Sequence, residues 1–451
     1  MSRNFQRLFL CAALGGLSLF MVWSAGASAA IQATVDFSVL TKPKNQMGFM
    51  HGEVHEDPLT LNMASQLMPG IWRGSEASWS MSTMGVTQSG AVPVHIISND
   101  WLDLAEKPDG ACREKFLSRP LPFQDWNAWR LFVQQKAAEL KQLQPTGEIW
   151  VDIWNEPDWP PFWPVRANPK CFSSRLLDLD GSKWLETFRI AEQILRQQIG
   201  PRVKIMGPST AARVQTWTEK LVRFCAAKGC KVDLIGWHMA GGTQVGINQI
   251  SSIASVMRKQ LATNPTWKKG TAGPATKIII AEYVPIKYRW MPGTMVSFWY
   301  AMERAGIDGG ALSRWPDPNS KLDGLLDLSG NTRSTWWAAN AYAQGRQNRV
   351  LVSTNNAYWS LIASRQGLSG GMEFLLGNND QPVKPVSVRL TGLPNVRSLK
   401  VQIYNLPQSS DTEVMNNLPT PSTTTISVRS GQASISVTPP RGGAALVALG
   451  S

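Results

Sequence analysis

Two glutamates stand where short apolar runs end. Glu156 lies in "EIWVDIWNEPDWPPFW", between Asn155 and Pro157, and Glu282 lies near the end of "KIIIAEY". A carboxyl held at a strand tip can give or take a proton, and a second one facing it can attack an electrophilic carbon. Paired carboxylates across a cleft are what cleavage of a glycosidic bond requires: one protonates the departing oxygen, and the other attacks the sugar or stabilises its developing positive charge. On this reading Glu156 is the acid/base and Glu282 the nucleophile, and a separation of about 5 to 5.5 Å would retain configuration. Pro157 disfavours the helical conformation for Glu156 and predicts an extended backbone there.

Other chemistries find little in the chain. The four histidines, His51, His55, His95 and His238, lack metal-ligand spacing, and "HGEVHE" lacks the order of a zinc-protease helix. There is no phosphate-cradling glycine loop and no strained Ser elbow. No metal and no cofactor are therefore expected. Tryptophan is abundant, with 20 residues, and flat rings suit either a large core or a surface on which sugars stack. Trp159 and Trp163 follow Glu156, Trp290 follows the Glu282 segment, and Trp315 ends a later apolar run. These rings could line or extend a sugar-binding cleft.

Eight short apolar runs precede or separate amphipathic stretches between residues 46 and 345: 47–51, 70–74, 92–97, 148–154, 203–207, 232–238, 277–283 and 309–315. Strand–helix units in that number predict an α/β fold, a (β/α)8 TIM barrel. In such a barrel the carboxyl ends of the strands carry the chemistry, and both glutamates open onto that face. Outside it, residues 31–39 alternate strictly, with Ile31, Ala33, Val35, Phe37 and Val39 on one side. Residues 346–451 are short strands between Asn, Gly, Pro and Ser. They predict an accessory antiparallel β-sandwich, which the strand within 30–45 is expected to join. The polar stretch "PQSSDTEVMNNLPTPSTTT" is expected to be an exposed hairpin loop.

With the strands placed, "WNEP" after the fourth and "AEY" after the seventh resemble the clan A glycoside hydrolases. Within that clan the chain most resembles glycoside hydrolase family 39, through "WNEPDWPPFW" and "DGLLDLSGNTRSTWWAANAY". The resemblance implies that Asn155 bonds the sugar 2-hydroxyl, that Arg73 keeps Glu282 ionised, that His238 lines the sugar site and that Trp315 is the platform. Ala240 departs from the clan, which often carries an aromatic there. The same carboxylate pair would also serve a transglycosidase. A non-catalytic polysaccharide-binding envelope protein would be expected to have lost one of the two.

Arg3 and Arg7, an apolar run to Trp23 and then "SAGASAA" read as a signal peptide over 1–29. The expected protein is exported, periplasmic or extracellular, without stable membrane insertion. Beyond that segment lie Cys112, Cys171, Cys225 and Cys230, an even number in an exported chain, which suggests disulfides. Four cysteines allow three pairings; Cys112 with Cys171 and Cys225 with Cys230 is the expected one. The formal charge of +13 is scattered rather than clustered. That argues against a nucleic-acid stripe, so no nucleic-acid partner is expected, and leaves open a polysaccharide or oligosaccharide substrate, with a lean toward an anionic one, or an envelope partner.

Overall fold

The computed structural model describes residues 30–42, 46–50, 58–74, 83–102, 120–160, 162–165, 176–212, 214–239, 244–313, 320–410 and 412–450. Three of the expectations above, the segment 1–29, the Cys112–Cys171 bond and Trp315, fall outside them, as does Ala240.

The described residues start outside the barrel. Strand β1 (Ile31–Leu40) buries Ile31, Ala33, Val35 and Phe37, and each large apolar side chain so buried contributes about 1.5 to 3 kcal/mol. Val39 breaks the expected pattern and is 42% exposed, because the pairing slips between Asp36 and Leu40.

The barrel follows. Its strands are β2 (Gly48–Met50), β3 (Ile71–Gly74), β4 (Val92–Ile96), β5 (Ile149–Asp152), β6 (Val203–Thr210), β7 (Leu234–Met239), β8 (Lys277–Tyr283) and β9 (Gly309–Leu312), parallel and closed. Around them lie α1 (Pro58–Gln66), α2 (Thr83–Gln88), α3 (Ile97–Leu102), α4 (Trp126–Leu143), α5 (Ser182–Ile199), α6 (Val214–Lys228), α7 (Gln244–Thr263), α8 (Pro265–Gly270) and α9 (Pro292–Ala305). Alternate strand residues divide between two cores. Ile71, Val94, Ile96, Trp150, Met206, Leu234 and Ile279 fill the interior, while Trp72, Val151, Ile205, Ile235 and Ile280 face the helices. Cys225, on α6, is bonded to Cys230 just before β7.

After β9 comes a two-stranded ribbon, β10 (Ser320–Lys321) and β11 (Leu326–Asp327), then α10 (Ser334–Gln344). The remaining strands form a sandwich. One sheet has the order β12 (Val350–Thr354), β1, β15 (Val386–Thr391), β18 (Ala433–Val437). The other has the order β13 (Trp359–Ser364), β14 (Met372–Asn378), β19 (Ala444–Gly450), β16 (Ser398–Leu406), β17 (Ser422–Ser427). The accessory antiparallel β-sandwich is as expected, and the N-terminal strand joins it; within it β1 alone among the described pairs runs parallel to its neighbour, β15. A strand arriving from the far end of the chain is not bound by a hairpin and can take either direction.

Strand β13 is buried at every position, since one face meets the sandwich core and the other packs on the barrel. Here Ser360 Oγ donates to Ser297 Oγ on α9 at 3.0 Å. Gly293, in the first turn of α9, permits the close approach. A Cβ there would come within 2.2 Å of the Asn378 carbonyl oxygen and 2.4 Å of that of Gly443.

The polar stretch after β16 is the expected exposed hairpin loop, since β16 and β17 pair antiparallel. Many of its side chains are exposed, yet its backbone is fastened to the barrel. Ser409 N donates to Trp290 O at 3.0 Å, Met415 N to Thr332 O at 2.7 Å, and Trp337 Nε1 to Met415 O at 2.6 Å. Backbone groups that no strand pairs have found partners on the neighbouring layer.

Candidate active site

Strict alternation along β8 would turn Glu282 outward with Ile278 and Ile280. A bulge prevents it. Trp237 pairs with Ile280 and the next residue, His238, with Glu282, so Ala281 is the extra residue. Ala281 and Ile279 both belong to the interior core, Glu282 now points inward, and Tyr283 points outward. There Tyr283 is fixed by Gln46 O at 3.2 Å and by Trp299 Nε1 at 3.0 Å. Bulges of this kind re-aim side chains beside functional sites.

Arg73, on β3, is the hub of the interior cluster and is fully buried. Its Nε and Nη2 donate to Asp152 Oδ2 at 2.9 and 2.7 Å, its Nη1 to Glu282 Oε1 at 3.0 Å, and its Nη2 to Asn155 Oδ1 at 2.6 Å. Ser209 Oγ adds a bond to Asp152 Oδ2 at 2.8 Å, and Asn155 N donates to Ser98 Oγ at 3.0 Å. Charge-assisted bonds of this kind fix orientation as well as charge.

Glu156 is not extended, contrary to the expectation from Pro157. Its φ is +48°, its N–H donates to Ser209 O at 3.0 Å, and its carbonyl accepts from Trp159 N at 3.0 Å. The turn over 156–159 outweighs the local preference of a residue before proline. Ser209 and Val284 likewise have positive φ, at +49° and +64°. Such conformations cost on the order of 1 to 3 kcal/mol each and collect where a site holds its geometry against local preference.

The two glutamates meet at one histidine. His238 Nδ1 lies 2.8 Å from Glu156 Oε1 and 3.5 Å from Glu282 Oε2. Burial, with the Arg73 charge adding to it, pulls the imidazole down to about 4, so the ring is neutral near pH 7. Its bond to Glu156 survives either protonation state of that carboxyl. An Nδ1–H donates to the carboxylate, or a bare Nδ1 accepts from the carboxylic acid. Burial, helped by Glu156, raises the Glu282 carboxyl above its ordinary value, while His238 and Arg73 act the other way.

Among the rings that could line the cleft, Trp163 does not face it. It is fully buried, stacks edge-on against Trp154 and Phe123, and donates from Nε1 to Asp178 Oδ2 at 2.8 Å. A ring so enclosed is core, because the segment after Glu156 turns back onto the helix layer. Trp159 is 43% exposed, in the turn that begins at Glu156. Trp290 is half-buried under the Arg289 guanidinium, 4.0 Å from the ring centre.

The sequence reading passed over Asp152, Ser209 and Asp158. Asp152 left a signal, an acid at the interior parity of Trp150 within an apolar run. Asp158 left less; its carboxylate accepts from Ala211 N at 2.8 Å and Ala212 N at 3.0 Å, tying the turn after Glu156 to the end of β6.

Glu156, His238 and Glu282 could hold a cation, since one potential ligand atom from each lies within 4.8 Å of the others. Arg73 already donates to Glu282 beside them, and its charge repels a dication. The cluster is better suited to moving protons.

No protein-family model matches the sequence, and no curated protein matches it. Solved structures do. N2152 from Neocallimastix frontalis is similar at TM-score 0.70 and 20% identity, over 94% of this chain and 100% of that one. A glucosidase from Croceicoccus marinus is similar at TM-score 0.62 and 12% identity, over 94% and 99%. A family 51 α-L-arabinofuranosidase from Thermotoga petrophila is similar at TM-score 0.56 and 11% identity, over 93% and 99%. At such identities the likeness is one of fold, a TIM barrel with a β-sandwich.

Proposed function

We propose that the protein is an exported, retaining glycoside hydrolase acting on a polysaccharide or oligosaccharide, with Glu156 as acid/base and Glu282 as nucleophile. The convergence of the two carboxyls on one histidine nitrogen carries the reading. Oxygens from the two glutamates lie within 4.8 Å of each other. That favours double displacement, with its separation of about 5 to 5.5 Å, over inversion, which needs about 6.5 to 9.5 Å to admit a water.

In the first step a Glu282 oxygen bonds to the anomeric carbon. The glycosidic bond breaks, and the departing oxygen leaves with the bonding pair and takes the Glu156 proton. In the second step Glu156 takes a proton from water, whose oxygen displaces Glu282 and restores both carboxyls. Asn155, held by Arg73, faces the sugar 2-hydroxyl. The finer resemblance to family 39 and the fold shared with a named glucosidase and an arabinofuranosidase support this chemistry, and the leader-like first 29 residues support export. The raised Glu282 carboxyl moves the acid limb of activity upward from the ordinary glutamate value.

The test is product release from a panel of neutral and anionic polysaccharides by wild type, Glu282→Ala and Glu156→Gln, with NMR of the first-formed anomer. Products from wild type alone, with configuration retained, are expected. No release from any glycan, with equal binding by all three proteins, would replace this reading with that of a polysaccharide-binding protein.

A further inference from the structure

Arg73 raises a problem of charge. A fully buried guanidinium 3.0 Å from a nucleophilic carboxylate would hold that carboxylate ionised, but it would also draw off the electron density that makes it reactive. During double displacement the difficulty grows. Glu282 changes from an anion to a neutral ester and back, which would leave an unbalanced cation in the barrel interior each time the ester forms.

Asp152 stands on the other side of the same guanidinium. Both side chains are fully buried, and two of the three bonds that Asp152 Oδ2 accepts come from Arg73. Its Oδ1 is buried with no partner among the described residues. A neutral amide would fill the same space, yet the position beside Arg73 holds a carboxyl group with one oxygen left without a partner among the described residues.

We infer that Asp152 is a positioning residue that neutralises Arg73 throughout the reaction, so that Arg73 aims Glu282 and Asn155 without quenching the nucleophile. The inference rests on the proposed assignment of Glu282. Asp152 touches no substrate atom; it acts through Arg73. The described titratable groups that face Glu282 are Arg73 from β3, His238 from β7 and Glu156 from the turn after β5, with Asp152 behind Arg73. His238 is neutral near pH 7. Burial and Glu156 raise the Glu282 carboxyl, and Arg73, with Asp152 behind it, is the permanent charge that opposes them.

The test needs no substrate. Protein labelled with carbon-13 at glutamate carboxyls is titrated by NMR in wild type, Asp152→Asn and Ser209→Ala, with the Glu282 signal assigned by its absence from Glu282→Gln. With the Arg73 charge exposed, the Glu282 midpoint is expected to fall by about one pH unit or more in Asp152→Asn. In Ser209→Ala, which removes a bond to Asp152 but keeps its charge, the midpoint should stay in place. Equal midpoints in wild type and Asp152→Asn, both folded, would overturn the inference and leave Asp152 a structural anchor.

If Asp152→Asn does not fold, the double variant Arg73→Gln/Asp152→Asn decides. Removal of a self-cancelling pair leaves the midpoint near that of wild type, whereas a rise of more than about one unit would show that Arg73 acts at full charge. On any glycan found to be cleaved, Asp152→Asn is expected to lower kcat by about 100-fold with little change in KM, and to move the acid limb to lower pH. A protein that cleaves no glycan yet shows the expected midpoints would sink the hydrolase reading and leave the charge role standing.

Discussion

Arg73 and Arg333 are both fully buried, yet they bind different things. Arg73 gathers the side chains of Asp152, Asn155 and Glu282 at the mouth of the barrel. Arg333 donates to backbone carbonyls, those of Gly324 and Leu326 in the ribbon after β9 and of Ser410 in the sandwich. Its guanidinium also lies 5.9 Å from the Trp290 ring centre. Arg73 is bonded to titratable side chains and can tune them, while the Arg333 bonds to carbonyls tie segments together; against burial, the Arg333 charge also joins the Asn331 bonds in holding the Asp327 carboxyl below its ordinary value. The glutamate end of the barrel and the seam with the sandwich share a residue type, which gathers carboxylates in one place and fastens backbone in the other.

Replacing each arginine by methionine is the hardest test of that contrast. Arg73→Met is expected to reduce glycan cleavage by about 1000-fold or more, by misplacing Glu282 and Asn155 and leaving Asp152 without its cation. Arg333→Met should leave a larger fraction of activity. It should nonetheless cost roughly 3 kcal/mol or more of stability in thermal unfolding, since its carbonyl partners are left unsatisfied at about 1 to 3 kcal/mol each. Equal losses of activity in the two variants would break the comparison.

Two buried histidines among the described residues sharpen it. His238 in the site and His95 on β4 are both pulled down to about 4, first of all by burial. The unfolded chain binds protons at these residues that the folded chain refuses, so stability is fully present above about pH 6.5 and is lost as pH falls toward 4. Each contributes up to about 3 kcal/mol of that loss. Thermal unfolding followed against pH should show a shallower decline in His95→Gln, with cleavage retained, because His95 bears on the scaffold alone.

The smallest effect is expected farthest from the chemistry. The Cys225–Cys230 bond closes a short loop between α6 and β7, at the barrel end opposite the glutamates. Its removal in Cys225→Ala/Cys230→Ala should cost about 2 kcal/mol or less in chemical unfolding and leave cleavage unchanged.

Much of this was legible in the sequence. The eight runs correspond to the eight barrel strands, because parallel strands buried on both faces read as continuous apolar segments. The fourth and seventh put Glu156 and Glu282 on one face, and the structure joins them to Arg73, Asn155 and His238. What alternation could not supply was the inward aim of Glu282, which depends on the bulge at Ala281. Nor could it supply the left-handed turn at Glu156, since that conformation is imposed by Ser209, a residue more than fifty positions away. Trp163 was misleading because the type of an aromatic residue does not say which way its loop folds back. The polar stretch after β16 was legible as an exposed hairpin loop, but side-chain polarity does not report where its backbone groups bond.

Strand β1 has a consequence for the order of events in the life of the chain. It is synthesised early, yet its neighbours are β12 and β15, and Gln32 finds Asn355 only 323 residues later. Closing so long a loop is slow, and the sandwich cannot assemble until most of the polypeptide has emerged. For a protein proposed to be exported, that delay is an advantage: a chain whose first strand must wait for its last quarter stays loose enough to be threaded across a membrane before it folds.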